Sequence, residues 1–196
     1  GEVYDEAYEK AKEIQEQSGA TFVHPFDDEE IIAGQGTIGI EILEDLPDAD
    51  VIVVPVGGGG LISGISIAAK HIKPDIKIIG VQTQNLPSMA KAIAQNRIST
   101  VEGPATIADG IAVKTPGELT FRIVQQYVDD IVTVDEDEIA SAILLLLERA
   151  KVVSEGAGAA SVAAILNRLV NFRNKKIVAV ISGGNIDVNM LSRIID

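Results

Sequence analysis

The fold of this chain is decided by the stretch VIVVPVGGGG, which occupies positions 51–60. Its first six residues form a continuous apolar run, which is typical of a strand buried on both faces of a parallel sheet. Four glycines follow at once, and a helical pattern begins at Leu61. Residues without a Cβ let the backbone approach a ligand closely, and the positive end of the next helix favours an anion. The stretch therefore predicts a corner that binds the phosphate of a cofactor.

A second apolar run ends in the same way, because the strand expected at 176–181 is followed by SGGN at 182–185. Strand patterns at 77–82 and 130–134 lie between the two runs and alternate with helical patterns, and a short strand is also expected at 21–23. The predicted fold class is α/β, with a mostly parallel sheet covered by helices on both faces. Ligands bind outside the carboxyl ends of the strands in such sheets, so both corners are expected at the ligand-binding edge.

Composition limits the possible partners. The 196 residues are 46% hydrophobic, which is enough to bury the core of one large domain or slightly more. Sixteen basic and 29 acidic residues give a net charge of −13, which opposes binding to nucleic acid or to an anionic membrane. The chain has no cysteine, so disulfides, thiolate metal sites and a cysteine nucleophile are excluded. No signal-peptide pattern or long apolar span is present, and a cytoplasmic location is therefore expected.

The glycine corner does not match two common phosphate-binding motifs. In G-x-G-x-x-G, the third glycine after Gly58 and Gly60 would fall at Ser63. A P-loop requires Gly-Lys followed by Ser or Thr, and the chain contains no Gly-Lys pair. These absences argue against sites for a nicotinamide dinucleotide or a nucleoside triphosphate. A tight turn that allows close strand-to-helix packing is the alternative, but it would need only one or two glycines.

Five segments stand in an order and spacing that resemble a known family. They are AGQGTIG at 33–39, GGGGL at 57–61, TIADG at 106–110, SEGAGA at 154–159 and SGGN at 182–185. Together they resemble the fold-type-II pyridoxal-phosphate enzymes with the tryptophan synthase β-like fold, in particular threonine dehydratases (threonine ammonia-lyases), with serine racemase as a near relative. The resemblance covers essentially the whole chain. It implies pyridoxal 5'-phosphate as cofactor and β-elimination of L-threonine or L-serine to 2-oxobutanoate or pyruvate and ammonia.

The resemblance also implies roles for individual residues. The N–H groups of Gly57, Gly58, Gly59, Gly60 and Leu61 would hold the cofactor phosphate. Ser182 would face the pyridine nitrogen, where a hydroxyl can donate a hydrogen bond without protonating the ring, and the weaker electron sink suits β-elimination. The alternative for Ser182 is a helix N-cap.

Three further residues have both a functional and a structural interpretation. Glu155 would lie near the pyridine edge, or would cap the helix that begins at Gly156. Gly110 would present its backbone near the cofactor ring, or would simply form a turn. His24, next to Pro25, is interpreted as a structural or surface histidine and not as a base.

In the family that this chain resembles, the Schiff-base lysine lies upstream in a Ser-x-Lys-x-Arg segment, and this chain has no such segment. We therefore expect no catalytic residue here, an inactive isolated chain, and a sequence that is the C-terminal portion of an enzyme. Residues 1–30 would be the remainder of a small substrate domain, and residues 31–196 would form the large cofactor-binding domain.

Serine racemase resemblance would require acidic ligands for a divalent cation just after the strand that ends near Val81. Residues 82–88 contain no carboxylate, so no metal is expected and a dehydratase is favoured over a racemase. Another alternative is a non-catalytic regulatory module that retains a pyridoxal-phosphate pocket. The apolar, glycine-rich helices also suggest a homo-oligomer.

Overall fold

One parallel sheet forms the centre of the computed structural model, which describes residues 4–167, 169 and 173–195. Its strands are β1 (Val51–Pro55), β2 (Lys77–Thr83), β3 (Asp130–Val134) and β4 (Ile177–Ala179). Their order across the sheet is β3-β2-β1-β4, and every neighbouring pair is parallel. In the register, Val51 lies opposite Lys77 on one side and Ile177 on the other, so the carboxyl ends of β1 and its neighbours lie at one edge.

Eight α-helices surround this sheet within the described part of the chain. They are α1 (Tyr4–Ser18), α2 (Glu29–Asp45), α3 (Gly60–Ile72), α4 (Ser88–Gln95), α5 (Glu118–Tyr127), α6 (Glu136–Leu145), α7 (Gly156–Leu166) and α8 (Val188–Ile195). A 3₁₀ turn at Asp109–Ile111 precedes α5, and a π-helical turn at Leu146–Ala150 extends α6. Local sequence explains where two of these helices begin. Asp28 caps α2, and Asp135 forms a capping box with Glu138 at the start of α6.

Both faces of β1 are buried, which is why its sequence is apolar without alternation. Val51 and Val53 belong to a core cluster with residues of α6 and α7. Ile52 and Val54 belong to a second cluster on the other face, with residues of α3. The α/β class, the parallel sheet and the coverage of both faces are therefore as the sequence predicted.

Glycines in α2 allow it to approach α3 closely. A Cβ built on Gly39 would lie 2.9 Å from the Ile65 carbonyl oxygen, and one on Gly36 would lie 3.3 Å from the Gly64 oxygen. A larger residue at Gly39 would have to push the two helices apart. Packing against α3 thus explains Gly36 and Gly39, whereas nothing lies within 4 Å of a Cβ built on Gly34.

The strand expected at 21–23 is wrong, because the structure has no regular secondary structure there. No strand is paired with this segment among the described residues, so it has no ladder to join. Its side chains pack instead, with the Phe22 ring 5.5 Å from that of Tyr8 in an edge-to-face arrangement. The last strand is also shorter than the expected 176–181, although the Val180 N–H still bonds to the Val53 oxygen.

No helix in the described ranges has both the length and the apolar character needed to cross a bilayer.

Candidate functional site

The two glycine corners line one cavity of about 420 Å³ at the carboxyl edge of the sheet. Every residue that the sequence proposed as a cofactor contact is in its wall. The lining residues are Pro25, Phe26, Pro55, Gly57, Gly58, Gly59, Gly60, Leu61, Gly110, Ile111, Val113, Glu155, Ala157 and Ser182. The parallel topology explains this meeting, because β1 and β4 are neighbours and both end at the same edge.

The first corner, residues 57–60, carries backbone donors that its own fold does not use. β1 ends at Pro55 and α3 begins at Gly60, and Gly59 has the left-handed φ of +100° that favours glycine. None of the N–H groups of Gly57 to Leu61 donates a hydrogen bond to any described residue. Three of the four glycines are buried, and buried donors are costly when they have no acceptor. A tetrahedral anion at the N-terminus of α3 would satisfy several of them at once, so this corner fits a phosphate group.

Side chains from distant segments enclose the first corner. The Phe26 ring covers it, since a Cβ on Gly58 would lie 2.5 Å from three ring atoms. The buried Thr120 Oγ1 also donates to the Gly58 oxygen at 2.7 Å. A Cβ on Gly59 would lie 2.7 Å from the Met89 methyl. Motif analysis missed these supports because they come from segments far away in sequence.

The second corner, residues 182–185, is exposed at Ser182. Hydrogen bonds join this corner to the residues at the start of α7. Glu155 Oε2 accepts a hydrogen bond from the Asn185 N–H at 3.1 Å. The Glu155 N–H and Ser154 Oγ both donate to the Gly183 oxygen, each at 3.2 Å. The Glu155 carboxylate therefore fixes the backbone of the segment that contains Ser182.

The geometry bears on the capping alternatives for Ser182 and Glu155. The N-cap interpretation of Ser182 is wrong, because α8 begins only at Val188 and Asp187 accepts from the Asn189 N–H there. Glu155 does occupy the N-cap position of α7, but its side chain makes no capping hydrogen bond. Its carboxylate instead lies 3.6 Å from the position of a Cβ on Gly110, beside the cavity.

A second carboxylate, Glu136, organises the turn that brings Gly110 to the cavity. It accepts hydrogen bonds from four donors: Thr83 Oγ1 at 3.2 Å, Asn85 Nδ2 at 3.2 Å, Thr106 Oγ1 at 2.7 Å and the Ile107 N–H at 2.7 Å. These bonds join the segment before Gly110 to the end of β2. The sequence showed Glu136 only as one of several acidic residues at a helix start, so its role was not visible.

His24 has a structural role, as its sequence context suggested. Its Nδ1 accepts hydrogen bonds from the N–H groups of Phe26 at 3.3 Å and Asp27 at 2.8 Å. Burial lowers the pKa of His24 below its usual value, although the nearby Asp27 and Asp28 act in the opposite direction and Lys12 acts with burial. An acceptor nitrogen must be unprotonated, so the imidazole is neutral while it holds this loop.

Gln82 begins the stretch 82–88, in which the sequence has no carboxylate for the cation site that a racemase would require. It is fully buried, its Nε2 donates to the Val56 oxygen at 3.2 Å, and its Oε1 accepts from the Ala90 N–H at 2.9 Å. Both ends of the amide are thus engaged in tying β1 to α4. In the part of the chain that the structure describes, no three His, Cys, Asp or Glu side chains are grouped to hold a metal ion.

Comparison with known proteins gives a consistent family match. Residues 1–183 match the family model described as "Pyridoxal-phosphate dependent enzyme". The L-threonine ammonia-lyase of Thermotoga maritima is 63% identical over 196 residues, which are 100% of this chain and 49% of that protein. The chain thus spans about half the length of this curated relative.

Two solved structures share the fold at high similarity. The processed form of threonine deaminase isoform 2 from Solanum lycopersicum superposes with a TM-score of 0.88 at 38% identity, covering 93% of this chain and 54% of that one. Maize serine racemase also superposes with a TM-score of 0.88, at 37% identity, covering 96% of this chain and 58% of that one. These matches confirm the fold type expected from the sequence motifs.

Proposed function

Because this chain belongs to the family of pyridoxal-phosphate-dependent enzymes, we propose that it forms the cofactor-binding part of a threonine ammonia-lyase. The complete enzyme would convert L-threonine to 2-oxobutanoate and ammonia, and L-serine to pyruvate and ammonia, by β-elimination. The name of the Thermotoga maritima relative, which is 63% identical, supports this choice of reaction.

One observation carries the proposal: an anion-binding corner and a lone hydroxyl face the same cavity. The free N–H groups of Gly57 to Leu61 lie at one part of its wall, and Ser182 lies at another. A cofactor with a phosphate at one end and a ring nitrogen at the other needs this pairing. Gly110 and Glu155 complete the wall between them and are proposed to lie beside the ring.

The residues of this chain would bind and tune the cofactor. Pyridoxal 5'-phosphate, when bound, supplies an electron sink for the substrate's α-carbon. The corner at 57–60 would hold the phosphate through neutral backbone dipoles, which suits a chain of net charge −13. Ser182 would donate a hydrogen bond to the ring nitrogen without giving up its proton, because a hydroxyl is a far weaker acid than a pyridinium. A hydrogen bond of this kind from Ser182 would suit loss of the substrate's β-hydroxyl.

Gln82 supports a lyase over a racemase that depends on a divalent cation. A hard cation requires oxygen ligands with negative charge, and residues 82–88 contain none. The Gln82 amide also donates to the Val56 oxygen, so this oxygen already has a partner. We therefore propose that the enzyme works without a metal ion at this position.

The proton-transferring lysine is proposed to lie in a part of the enzyme outside this chain. No lysine is among the described residues that line the cavity. The chain also spans only 49% of the length of its Thermotoga maritima relative, so there is room for such a segment in a longer protein. The domain division into residues 1–30 and 31–196 belongs to the same proposal.

The test is an assay of the full-length protein, purified with pyridoxal 5'-phosphate, with L-threonine and L-serine as substrates. We expect 2-oxo acid and ammonia in equal amounts, and the rate should be unchanged by a chelator. Residues 1–196 alone, assayed in parallel, should give no turnover. Racemisation without 2-oxo acid, or turnover by residues 1–196 alone, would contradict the proposal.

A homo-oligomer in the cytoplasm completes the proposal. The exposed side chains Ile40 and Ile67 lie at an apolar groove of about 370 Å³ between α2, α3 and α5, and a surface of this kind is suited to a protein contact. Light scattering of the full-length protein would give its subunit number, and cell fractionation would locate it. A monomer, or a protein recovered outside the cytoplasm, would contradict this part.

A further inference from the structure

We propose that Thr120 is a positioning residue for the first corner, and that Asp27 sets the place of Thr120. The inference rests on the proposed function, because it assumes that the corner holds the cofactor phosphate. Thr120 and Asp27 both lie outside the five sequence motifs.

The Thr120 hydroxyl fixes the peptide between Gly58 and Gly59. Its Oγ1 donates to the Gly58 oxygen at 2.7 Å, and the residue is fully buried. In a planar trans peptide the C=O and the N–H point in opposite directions. Holding the Gly58 oxygen towards Thr120 therefore turns the Gly59 N–H away from Thr120, so the free donor cannot rotate back into the protein. This is the orientation that an anion site must keep before its ligand arrives.

Asp27 in turn fixes the first turn of α5, which carries Thr120. Its Oδ1 accepts from the N–H groups of Leu119 at 3.0 Å and Thr120 at 2.9 Å, and its Oδ2 accepts from the Glu118 N–H at 3.0 Å. One carboxylate thus satisfies three donors at the positive end of this helix. Gly117 is pressed against the same carboxylate and leaves no room for a side chain.

The segment that contains Asp27 also touches the first corner directly. The Phe26 ring packs on Gly58, and the Phe26 backbone lies 3.0 Å from the position of a Cβ on Gly60. The Asp27 N–H is held by His24 Nδ1 at 2.8 Å. The segment 24–27 and the first turn of α5 therefore both contact the corner, and Asp27 joins these two supports to each other.

The decisive comparison is Thr120→Val against Thr120→Ser in the full-length protein. Valine keeps the shape of threonine but cannot donate to the Gly58 oxygen, whereas serine keeps the hydroxyl. Dissociation constants would be measured by fluorescence titration of the cofactor-free protein with pyridoxal 5'-phosphate and, separately, with pyridoxal. We expect Thr120→Val to weaken pyridoxal 5'-phosphate binding about tenfold, the size of one hydrogen bond, and Thr120→Ser to stay within about threefold. Pyridoxal has no phosphate, so its affinity should be the same in both variants.

Adjacent aspartates provide a matched control for Asp27. Asp28 caps α2 by accepting from the N–H groups of Glu30 and Ile31, so Asp28→Ala also removes a helix cap. We expect Asp28→Ala to lower the unfolding temperature with little change in pyridoxal 5'-phosphate affinity. Asp27→Ala should lower both.

Two results would overturn the inference. One is pyridoxal 5'-phosphate binding by Thr120→Val that equals that of the unmodified protein. The other is an equal loss of pyridoxal affinity, which would mean general damage and not a loosened phosphate site. If the unmodified full-length protein binds no pyridoxal 5'-phosphate, the proposed function itself fails, so the two failures are distinguishable.

Discussion

The two glycine corners have similar sequences but are supported in different ways. Residues 57–60 are mostly buried and are enclosed by Phe26, Met89 and Thr120. Residues 182–185 are mostly exposed and follow β4, which is paired on one side only among the described strands. Their main side-chain support is the carboxylate of Glu155.

This difference separates a rigid corner from an adjustable one. A Cβ on Gly59 would meet the buried Met89 and Thr120, whereas a Cβ on Gly183 would meet the Glu155 carboxylate at the start of α7. The geometry of the first corner is therefore determined by the core. In the second corner a change at one supporting side chain can shift the backbone without disturbing the core. Substitutions in the first corner should therefore affect folding and cofactor binding together, whereas substitution of Ser182 or of its support Glu155 should affect function more than folding.

The largest effect is expected for Gly59→Ala. A Cβ there would lie 2.7 Å from the Met89 methyl and 2.9 Å from Thr120 Cβ, and alanine is strained at φ +100°. We expect a loss of about 3 kcal/mol in the free energy of unfolding, together with loss of pyridoxal 5'-phosphate binding. Urea unfolding and fluorescence titration of the full-length protein would measure these two quantities.

Gly34→Ala is the matched control, because nothing lies within 4 Å of its Cβ position in α2. In a helix interior this change should be neutral or stabilising, by up to about 1 kcal/mol. Equal stability losses for the two variants would mean that the first corner is not rigid.

A smaller effect is expected for Glu155→Ala in the second corner. The change removes the acceptor for the Asn185 N–H, and hydrogen bonds to charged groups contribute about 2 kcal/mol. We expect the unfolding free energy to fall by no more than this amount, while kcat falls further than the stability change would suggest. Glu44→Ala, at an exposed position on α2, should change neither quantity. Full activity in Glu155→Ala would remove the argument that this carboxylate supports the corner.

Ser182→Ala should change the rate without changing the fold. The hydroxyl is exposed and donates to no described residue, so the unfolding temperature should stay the same. Loss of one hydrogen bond to the cofactor ring should lower kcat about tenfold. Stopped assays at saturating cofactor would measure it, with the exposed Ser192→Ala as control. An unchanged kcat would show that Ser182 does not contact the ring.

The smallest effect is a pH dependence that reaches the first corner through His24. The pKa of His24 is lowered by burial, so the unfolded chain takes up a proton before the folded protein does. The stability from this residue is fully present above the unfolded pKa of about 6.5, and it is lost as the pH falls through the lower folded value. Unfolding temperatures measured from pH 8 to pH 5 should fall more steeply for the unmodified protein than for His24→Asn, whose amide oxygen can accept without titrating. Parallel pH profiles would contradict this account.

Local patterns predicted most of the fold. Continuous apolar runs located β1 and β2 to within one residue, because strands buried on both faces must be apolar throughout. The strand predicted at 21–23 was wrong because the composition of this segment suits a strand, but the segment has no partner among the described strands. A strand needs a neighbour, and sequence propensity does not contain that information.

The site was predictable only where its signal is local. Gly57 to Leu61 and the corner at 182–185 are recognisable because glycines follow apolar runs. Thr120 and Asp27 have no such signal, since one is an ordinary residue within a helix and the other is one of two adjacent aspartates. The only clue to Asp27 was its neighbour: Asp28 supplies the single cap that α2 needs, so Asp27 is left for another role.

By itself, the sequence determined the four strands of the sheet, the eight helices of the described residues, the family and the two corners, because these depend on hydrophobic period, glycine placement and motif spacing. Only the tertiary structure decided that Thr120 bonds to Gly58, 62 residues away, and that Asp27 caps the helix turn of Thr120, 93 residues away. Such contacts form when the packed core brings distant segments together. A hydroxyl or a carboxylate can pair with many groups, so the sequence alone does not show which partner it will have.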